Sequence, residues 1–501
     1  MASITSTMSL ADEKAQISHI DVESEIDSLK NSENLGISEV HKQYLIAKHG
    51  RYDLTPLPTM DDEDPLNWPN WVKNFQLGIV VCHGFFTTFF ASGTVPAFGP
   101  LSVELNQPID RVSYVTSCQI IILGLCPSIW TPFMNKYGKR QILIITSFIA
   151  TMFNLGCVFA KSYGALIALR CMVAFFFSTG TAIGGSVVSE TTFSHQRGSR
   201  SGIWGLMVNL GTIAGPLFMG FVAQRQAPKY IFVVFTGISF VQVLLYIFFA
   251  KETTYNYDDK SRNEPNRFKQ LIRFRTIMPE RKANIAKILS PAKLFASWKV
   301  AVAGIAYGIC FMFDNIATNV ELPIVMGEKF HMGPQATGLQ FLSFLIGSLI
   351  GEQFGGWMSD KWMIFGKSRN KGKAFRLWMS YPGFITSVVG LAVYGVQIQK
   401  AESWNITPLV GLVICSVGLQ IVTTTMIAFS MDTEPTRHSE VALFLTAVRQ
   451  TLGFIGPFFY PKMYSSLGFA NAYGIMAGLI AALAMIPTII VHFYDDKNRH
   501  L

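Results

Sequence analysis

The feature that most limits what this chain can become is a series of twelve apolar runs of about 20 residues, the helix length that crosses the roughly 30 Å hydrocarbon layer of a bilayer. They fall near 75–98, 112–134, 141–160, 163–188, 201–223 and 229–250, and then near 299–322, 334–357, 376–397, 406–430, 440–463 and 469–492. These segments are apolar nearly all round, whereas a helix buried in a water-soluble protein carries an amphipathic stripe. The expected fold class is therefore all-α integral membrane, with twelve transmembrane helices. Composition agrees: the 501 residues are 50% hydrophobic and only 15% charged, more apolar surface than a soluble globule can cover. The 41 Gly and 40 Phe suit helices that approach closely in lipid and face lipid tails.

The runs divide the chain into a polar tail (1–73), a six-helix bundle (74–250), a basic linker (251–298), a second six-helix bundle (299–493) and a short tail (494–501). The first tail has no positively charged segment followed by a short apolar one, so no cleaved signal peptide is expected and the first span serves as its own signal. It ends in Asp64-Pro65-Leu66-Asn67-Trp68-Pro69, whose prolines break helix and whose Trp suits a membrane interface. Residues 21–30 read as solvated disorder, with a short amphipathic helix as the alternative. The linker reads as a solvated connector, with a lipid-surface helix over 268–288 as the alternative.

The formal charge of +9 does not mark a nucleic-acid partner, because the Lys and Arg sit between apolar runs rather than on one domain face. They concentrate after spans two, four, six, eight and ten: Lys136, Lys139 and Arg140; Arg197 and Arg200; about a dozen from Lys251 to Lys299; Lys361 to Arg376; and Arg437. The positive-inside rule then places both termini in the cytoplasm. Asn405-Ile406-Thr407 falls in an outer link, where Asn405 is a candidate glycosylation acceptor. The seven Cys lie inside apolar runs without paired spacing and read as small packing residues.

The halves repeat each other weakly. After span two the chain reads Thr131-Pro-Phe-Met-Asn135-Lys136-Tyr-Gly138-Lys139-Arg140, and after span eight Gly355-Gly356-Trp-Met-Ser359-Asp360-Lys361. Span five holds Gly211-Thr-Ile-Ala-Gly215-Pro216-Leu-Phe-Met-Gly220, and span eleven Gly453-Phe-Ile-Gly456-Pro457. Two parallel six-span halves are how one transporter class builds a central site open alternately to each side.

From Asp64 onward these residues resemble the major facilitator superfamily, which implies two six-helix bundles and alternating access. Residues 131–140 look like that family's signature loop, with Lys136, Gly138, Lys139 and Arg140 at its glycine and basic positions. Asn135 stands where the family has an acid of a network that holds the halves together. Asp360 fills the equivalent place in the second half, and Glu190 is a candidate partner for the basic cluster. The span-five run resembles the signature of proton-coupled exporters. With the Asp-Pro-Leu-Asn-Trp stretch and Val448-Arg449-Gln450, the likeness is greatest to fungal members of the twelve-span drug:proton antiporter family. The resemblance implies a plasma-membrane monomer, with the vacuole as second location, and links Arg170 of span four to proton coupling; a snorkelling arginine is the alternative.

Ionisable residues inside spans are costly and so mark function. Asp314, deep in span seven, is the preferred acid, binding a cationic substrate or carrying the coupled proton. Glu321 lies further along the same span as a candidate gate. Arg449 either neutralises Asp314 or holds a substrate carboxylate. His83 titrates in a useful range but also suits a packed, hydrogen-bonded role. Glu352 reads as part of the cytoplasmic charge network. Neither a phosphate-binding glycine loop nor a metal-spaced His/Cys cluster occurs, so no enzyme activity, cofactor or metal is expected. The expected function is secondary active transport of a small organic molecule, as proton-coupled export, with proton-coupled uptake of an organic cation or carboxylate, or a non-transporting sensor, as the alternatives. The partners are the substrate, protons and membrane lipid, with no nucleic acid.

Overall fold

The computed structural model describes residues 38–257, 259, 276–280, 285–368 and 372–497, and every regular element among them is helical. The first six membrane helices are α1 (Asn70–Glu104), α2 (Ile109–Tyr137), α3 (Lys139–Val158), α4 (Tyr163–Thr191), α5 (Arg200–Arg225) and α6 (Lys229–Phe248). The second six are α7 (Trp298–Lys329), α8 (334–368), α9 (Lys373–Lys400), α10 (Thr407–Thr433), α11 (His438–Phe458) and α12 (Phe469–Asp495). Eleven of the twelve are long and apolar enough to cross a membrane. The exception, α8, runs over Pro334–Gln340, turns at Phe341, and continues through Leu342–Glu352 and a π-helical stretch, Gln353–Met358, into Ser359–Ser368.

Glycine decides where these helices touch. A methyl group at Gly211 of α5 would overlap the Phe85 carbonyl oxygen of α1, and one at Gly215 would lie 2.6 Å from that of Phe89. In the second bundle Gly453 of α11 packs the same way on α7, 3.0 Å from Phe311 and 3.2 Å from Ile316 by the same measure. The bundles meet through α2 on α11, where a methyl at Gly124 would come within 2.5 Å of Gln450, and through α5 on α8, where one at Gly220 would lie 2.7 Å from the Pro334 carbonyl. α7 departs from regular geometry, since Phe311–Ala317 is π-helical. Its loosened carbonyls are taken up by neighbours, with the Tyr460 hydroxyl donating to Met312 O at 2.7 Å.

The bundle end carrying the α2–α3 turn, here called the basic end, is held by buried charge. Gly138 adopts φ +98, which lets α2 stop and α3 start within one residue. The Glu252 carboxylate accepts from the backbone N–H of Lys139 and of Arg140, both at 3.0 Å, and so caps α3 with a negative group at its positive end. A side chain at Gly138 would run into this carboxylate. Lys139 pairs with Glu190 of α4. Arg140, 2% exposed, donates to the Tyr246 and Ile247 carbonyls that end α6. Asn135 takes part in none of the described ion pairs. The equivalent end of the second bundle is tied by Arg376, which donates to Asp432 at 3.1 Å and to Ser359 Oγ at 3.2 Å. Lys361 is exposed, and the side chains of Asp360 and Glu321 lie outside the described ones.

Two described stretches of the linker, 253–256 and 277–278, are packed against the protein rather than solvated. Thr253, Thr254, Tyr255 and Asn256 are buried, and the Ile277 and Met278 amides donate to the Lys136 carbonyl at 3.1 Å. Of the stretch 268–288, where a lipid-surface helix is the alternative, only 276–280 and 285–288 are described, the last four forming a short helix, Ile285–Ile288; residues 21–30 also lie outside the described residues.

Among the described residues, 38–69 together with Phe193–His195 make a separate compact unit. Its helix, Glu39–His49, is capped by Ser38 and closed by Gly50 at φ +75. Buried Asp64 accepts from Thr59 N, Thr59 Oγ1 and Leu66 N at 2.8–2.9 Å, and Asn67 donates to the Thr59 and Asp61 carbonyls. Leu45, Leu54, Leu66 and Phe193 form its core. The Asp-Pro-Leu-Asn-Trp stretch is thus a folded, internally satisfied turn, and Trp68 is buried rather than interfacial.

Two substitutions test these contacts by thermal unfolding of the purified protein. Gly211→Ala should cost about 1–3 kcal/mol by forcing α1 from α5, whereas Gly237→Ala, which meets no neighbour within 4 Å, should leave the midpoint unchanged or slightly higher. Burial raises the Glu252 carboxyl above the ordinary carboxylate range, against the lowering by its amide donors. Stability should therefore fall as pH rises from the ordinary carboxylate value through the raised value Glu252 has in the fold, and Glu252→Gln should flatten this fall, while Glu252→Ala should lower stability by about 1–2 kcal/mol through loss of the cap.

Candidate functional site

A small cavity of about 50 Å³ lies among α1, α2, α5, α7 and α11, where the two glycine-proline segments meet the first helix of each half. Hydroxyls come from Thr88 and Ser92 of α1, Ser113, Thr116 and Ser117 of α2, and Thr212 of α5; amides come from Asn319 of α7 and Gln450 of α11. Phe98, Ile120, Phe311, Ile316 and Val320 supply apolar wall, and no lining residue is ionisable.

Most of these hydroxyl protons are already committed. Thr88 donates to Val208 O at 2.7 Å, Ser92 to Thr88 O at 3.1 Å, Ser113 to Asp110 O at 2.7 Å and Ser117 to Ser113 O at 3.2 Å. Asn319 spends an amide proton on Asn315 Oδ1 at 2.7 Å. Gln450 Oε1 is buried without a partner, and Pro216 cannot donate to the Thr212 carbonyl one turn back. The wall therefore presents lone pairs, and it suits an uncharged, largely apolar molecule that donates hydrogen bonds.

Asp314 does not line this cavity. It sits fully buried in the π-helical stretch of α7, facing Ser387 of α9 and Cys415 of α10, and neither carboxylate oxygen has a hydrogen-bond partner. Phe311 and Ile316, on the same stretch, do reach the cavity. Arg449 forms no ion pair with Asp314; it donates to the Tyr307 hydroxyl at 2.9 Å and lies over the Phe311 ring at 4.6 Å, behind the wall.

Arg170 is fully buried inside the first bundle, which excludes snorkelling. It donates to the Phe90 carbonyl and lies over Phe235 at 5.3 Å and Phe232 at 5.7 Å, with Nε and Nη1 unpartnered. His83 packs 4.2 Å from Phe177 with Nδ1 2.7 Å from the Tyr246 hydroxyl, away from the cavity. Asn405 is exposed, its side-chain oxygen accepting from Thr407 N at 3.1 Å. Glu352 belongs to no described ion pair, contrary to the charge network expected for it; it accepts from Gln420 and Thr424 of α10.

Sequence reasoning sought charged residues in spans and so missed the hydroxyl and amide wall; the spacing of Ser113, Thr116 and Ser117 on one face of α2 was the available signal. It also missed Glu252 and Asp432, which lie at helix ends far in sequence from the groups they bind.

The family model of the Major Facilitator Superfamily matches residues 80–461. Relatives include the MFS transporter cpaT of Aspergillus oryzae, 26% identical over 88% of this chain and 90% of its own. The efflux pump vrtL of Penicillium aethiopicum is 27% identical over 85% of each chain, and the probable efflux pump mfs2 of Aspergillus flavus is 25% identical over 79% of this chain and 96% of its own. In fold the chain is similar to the crystal structure of the human organic anion transporter MFSD10, with TM-score 0.57 and 14% identity over 84% of this chain and 99% of that one. With a cavity at the junction of two repeated bundles and a family match across both, this chain belongs to the major facilitator superfamily and is a multi-pass membrane transporter.

Proposed function

We propose that this protein exports uncharged, largely apolar organic molecules in exchange for protons. The observation that carries the reading is the cavity wall: it combines hydrogen-bond acceptors with aromatic and aliphatic surface and bears no charge. Export is supported by the span-five glycine-proline segment, which packs α5 onto α1 beside the cavity, and by relatives named as efflux pumps.

Asp314 is the proposed proton carrier. It faces no cation and no cavity, so it is badly placed to hold a substrate, yet Phe311 lies one helical turn away on the same π-helical stretch. Adding or removing a proton there changes the packing of a segment that also forms the cavity wall. The repeated bundles would then rock about this site, with both termini cytoplasmic, Asn405 glycosylated on the far side, the plasma membrane as location and a monomer as the working unit.

Purified protein in sealed proteoliposomes, given an imposed pH gradient and a panel of neutral, cationic and anionic organic compounds, tests the reading. Neutral compounds should accumulate against their own gradient in exchange for protons. Asp314→Asn should abolish this accumulation while retaining substrate-for-substrate exchange. Movement of substrate together with protons would turn the reading to uptake, and selective flux of charged compounds would overturn the substrate class. Asn319→Leu, which removes one acceptor from the wall, should reduce flux of hydroxylated compounds about fivefold, the equivalent of one neutral hydrogen bond of about 1 kcal/mol.

A further inference from the structure

Apart from Asp314, Glu352 is an acid within a membrane helix that has no counter-charge among the described residues. Its Oε2 accepts from Gln420 Nε2 at 2.6 Å and from Thr424 Oγ1 at 3.1 Å. The other face of the same Gln420 amide is also used, since its Oε1 accepts from Asn209 Nδ2 of α5. Gln420 is only 4% exposed. Hydrogen-bond donation therefore runs in one direction, from Asn209 in the first bundle through Gln420 to a carboxylate in the second.

Glycine again sets the geometry. A methyl at Gly351 would lie 2.7 Å from Gln420 Cβ, and one at Gly355 3.1 Å from Ile421 Cα and Thr424 Cβ, so α8 and α10 touch on both sides of Glu352. The groups that reach its carboxylate are Gln420 and Thr424 of α10, with Asn209 of α5 behind; none titrates, and no described Lys, Arg or His forms an ion pair with it.

We propose that Glu352 is a second proton-carrying residue, whose ionised carboxylate holds α5 to α10 through Gln420 and whose protonation loosens this lock between the two bundles. A proton taken onto Oε1 leaves Oε2 a neutral acceptor. Its two hydrogen bonds then lose the charge assistance that makes such bonds roughly twice as strong as neutral ones. Gln420 is freed to rotate, and Asn209 loses its acceptor. The lock stands on contact geometry; its place in the transport cycle rests on the proton-coupled reading above.

Hydrogen–deuterium exchange of the full chain in lipid nanodiscs, at acid and at alkaline pH with intrinsic rates corrected, reads the lock without any substrate. Backbone amides of 200–212 and 417–428 should exchange about tenfold faster at acid pH, the effect of weakening two charge-assisted bonds. Glu352→Gln should exchange at the fast rate at both pH values, and so should Asn209→Ala, which removes the far end and leaves the acid in place. Gly237→Ala should behave as the parent protein. A Glu352→Gln protein that keeps the pH response, or an Asn209→Ala protein that stays slow at alkaline pH, overturns the lock. If Glu352→Gln fails to elute as a single folded species, Asn209→Ala alone decides. Proton-driven flux with pH-independent exchange would remove the lock and leave an exporter coupled through Asp314. A pH-dependent lock in a protein without proton-driven flux would keep the lock and remove its role in transport.

Discussion

The structure depends on how closely helix backbones can approach one another. In lipid there is little hydrophobic gain in bringing two apolar helices together, so association relies on close packing and on polar contacts. Here α5 lies on α1, and α11 on α7, through glycines whose replacement would bring carbon into a neighbouring carbonyl or ring. These contacts fix where the first helix of each half sits, and the cavity is the space left between the two pairs. The same device operates between halves at Gly220 and Gly124, and between α8 and α10 at Gly351 and Gly355.

Close approach also governs the polar groups. Once backbones touch, short side chains such as Thr88 and Ser92 reach carbonyls, and amides such as Gln420 bridge three helices. At the basic end the same economy of distance lets Glu252 cap α3 across a glycine turn and lets Arg140 finish α6. Charge is thus gathered at one end of the first bundle and kept out of the cavity. A transporter built so can hold an uncharged molecule in its centre while charged and titratable groups act around it.

The membrane architecture was largely legible in the sequence. Twelve runs predicted twelve helices, and eleven are long and apolar enough to cross a membrane; turns such as those at Ser178 in α4 and Phe341 in α8 divide some of them, which hydropathy does not register. The glycine-proline repeats of spans five and eleven, visible in the sequence as a resemblance to an exporter signature, are in the structure places where helices pack closely. The chemistry of the site was less legible. Asp314 and Arg449 stood out as charges in apolar runs, yet one faces α9 and α10 and the other lies behind Phe311. The linker looked solvent-facing because its partner, the Lys136 carbonyl that accepts from Ile277 and Met278, is recognisable only once the chain has turned back on itself.

By itself the sequence determined that this protein spans a membrane as a helical bundle and which segment forms each helix, to within several residues at the ends. Transfer from water to lipid is a property of each segment alone, and local hydropathy reports it. Only the tertiary structure decided which polar groups face the cavity, which lie buried without a partner and which join the two halves. Those outcomes depend on the rotation of each helix and on its neighbours, and Asn209, Glu352 and Gln420, more than 200 residues apart at the extremes, meet only because three separate helices are packed at glycine distance.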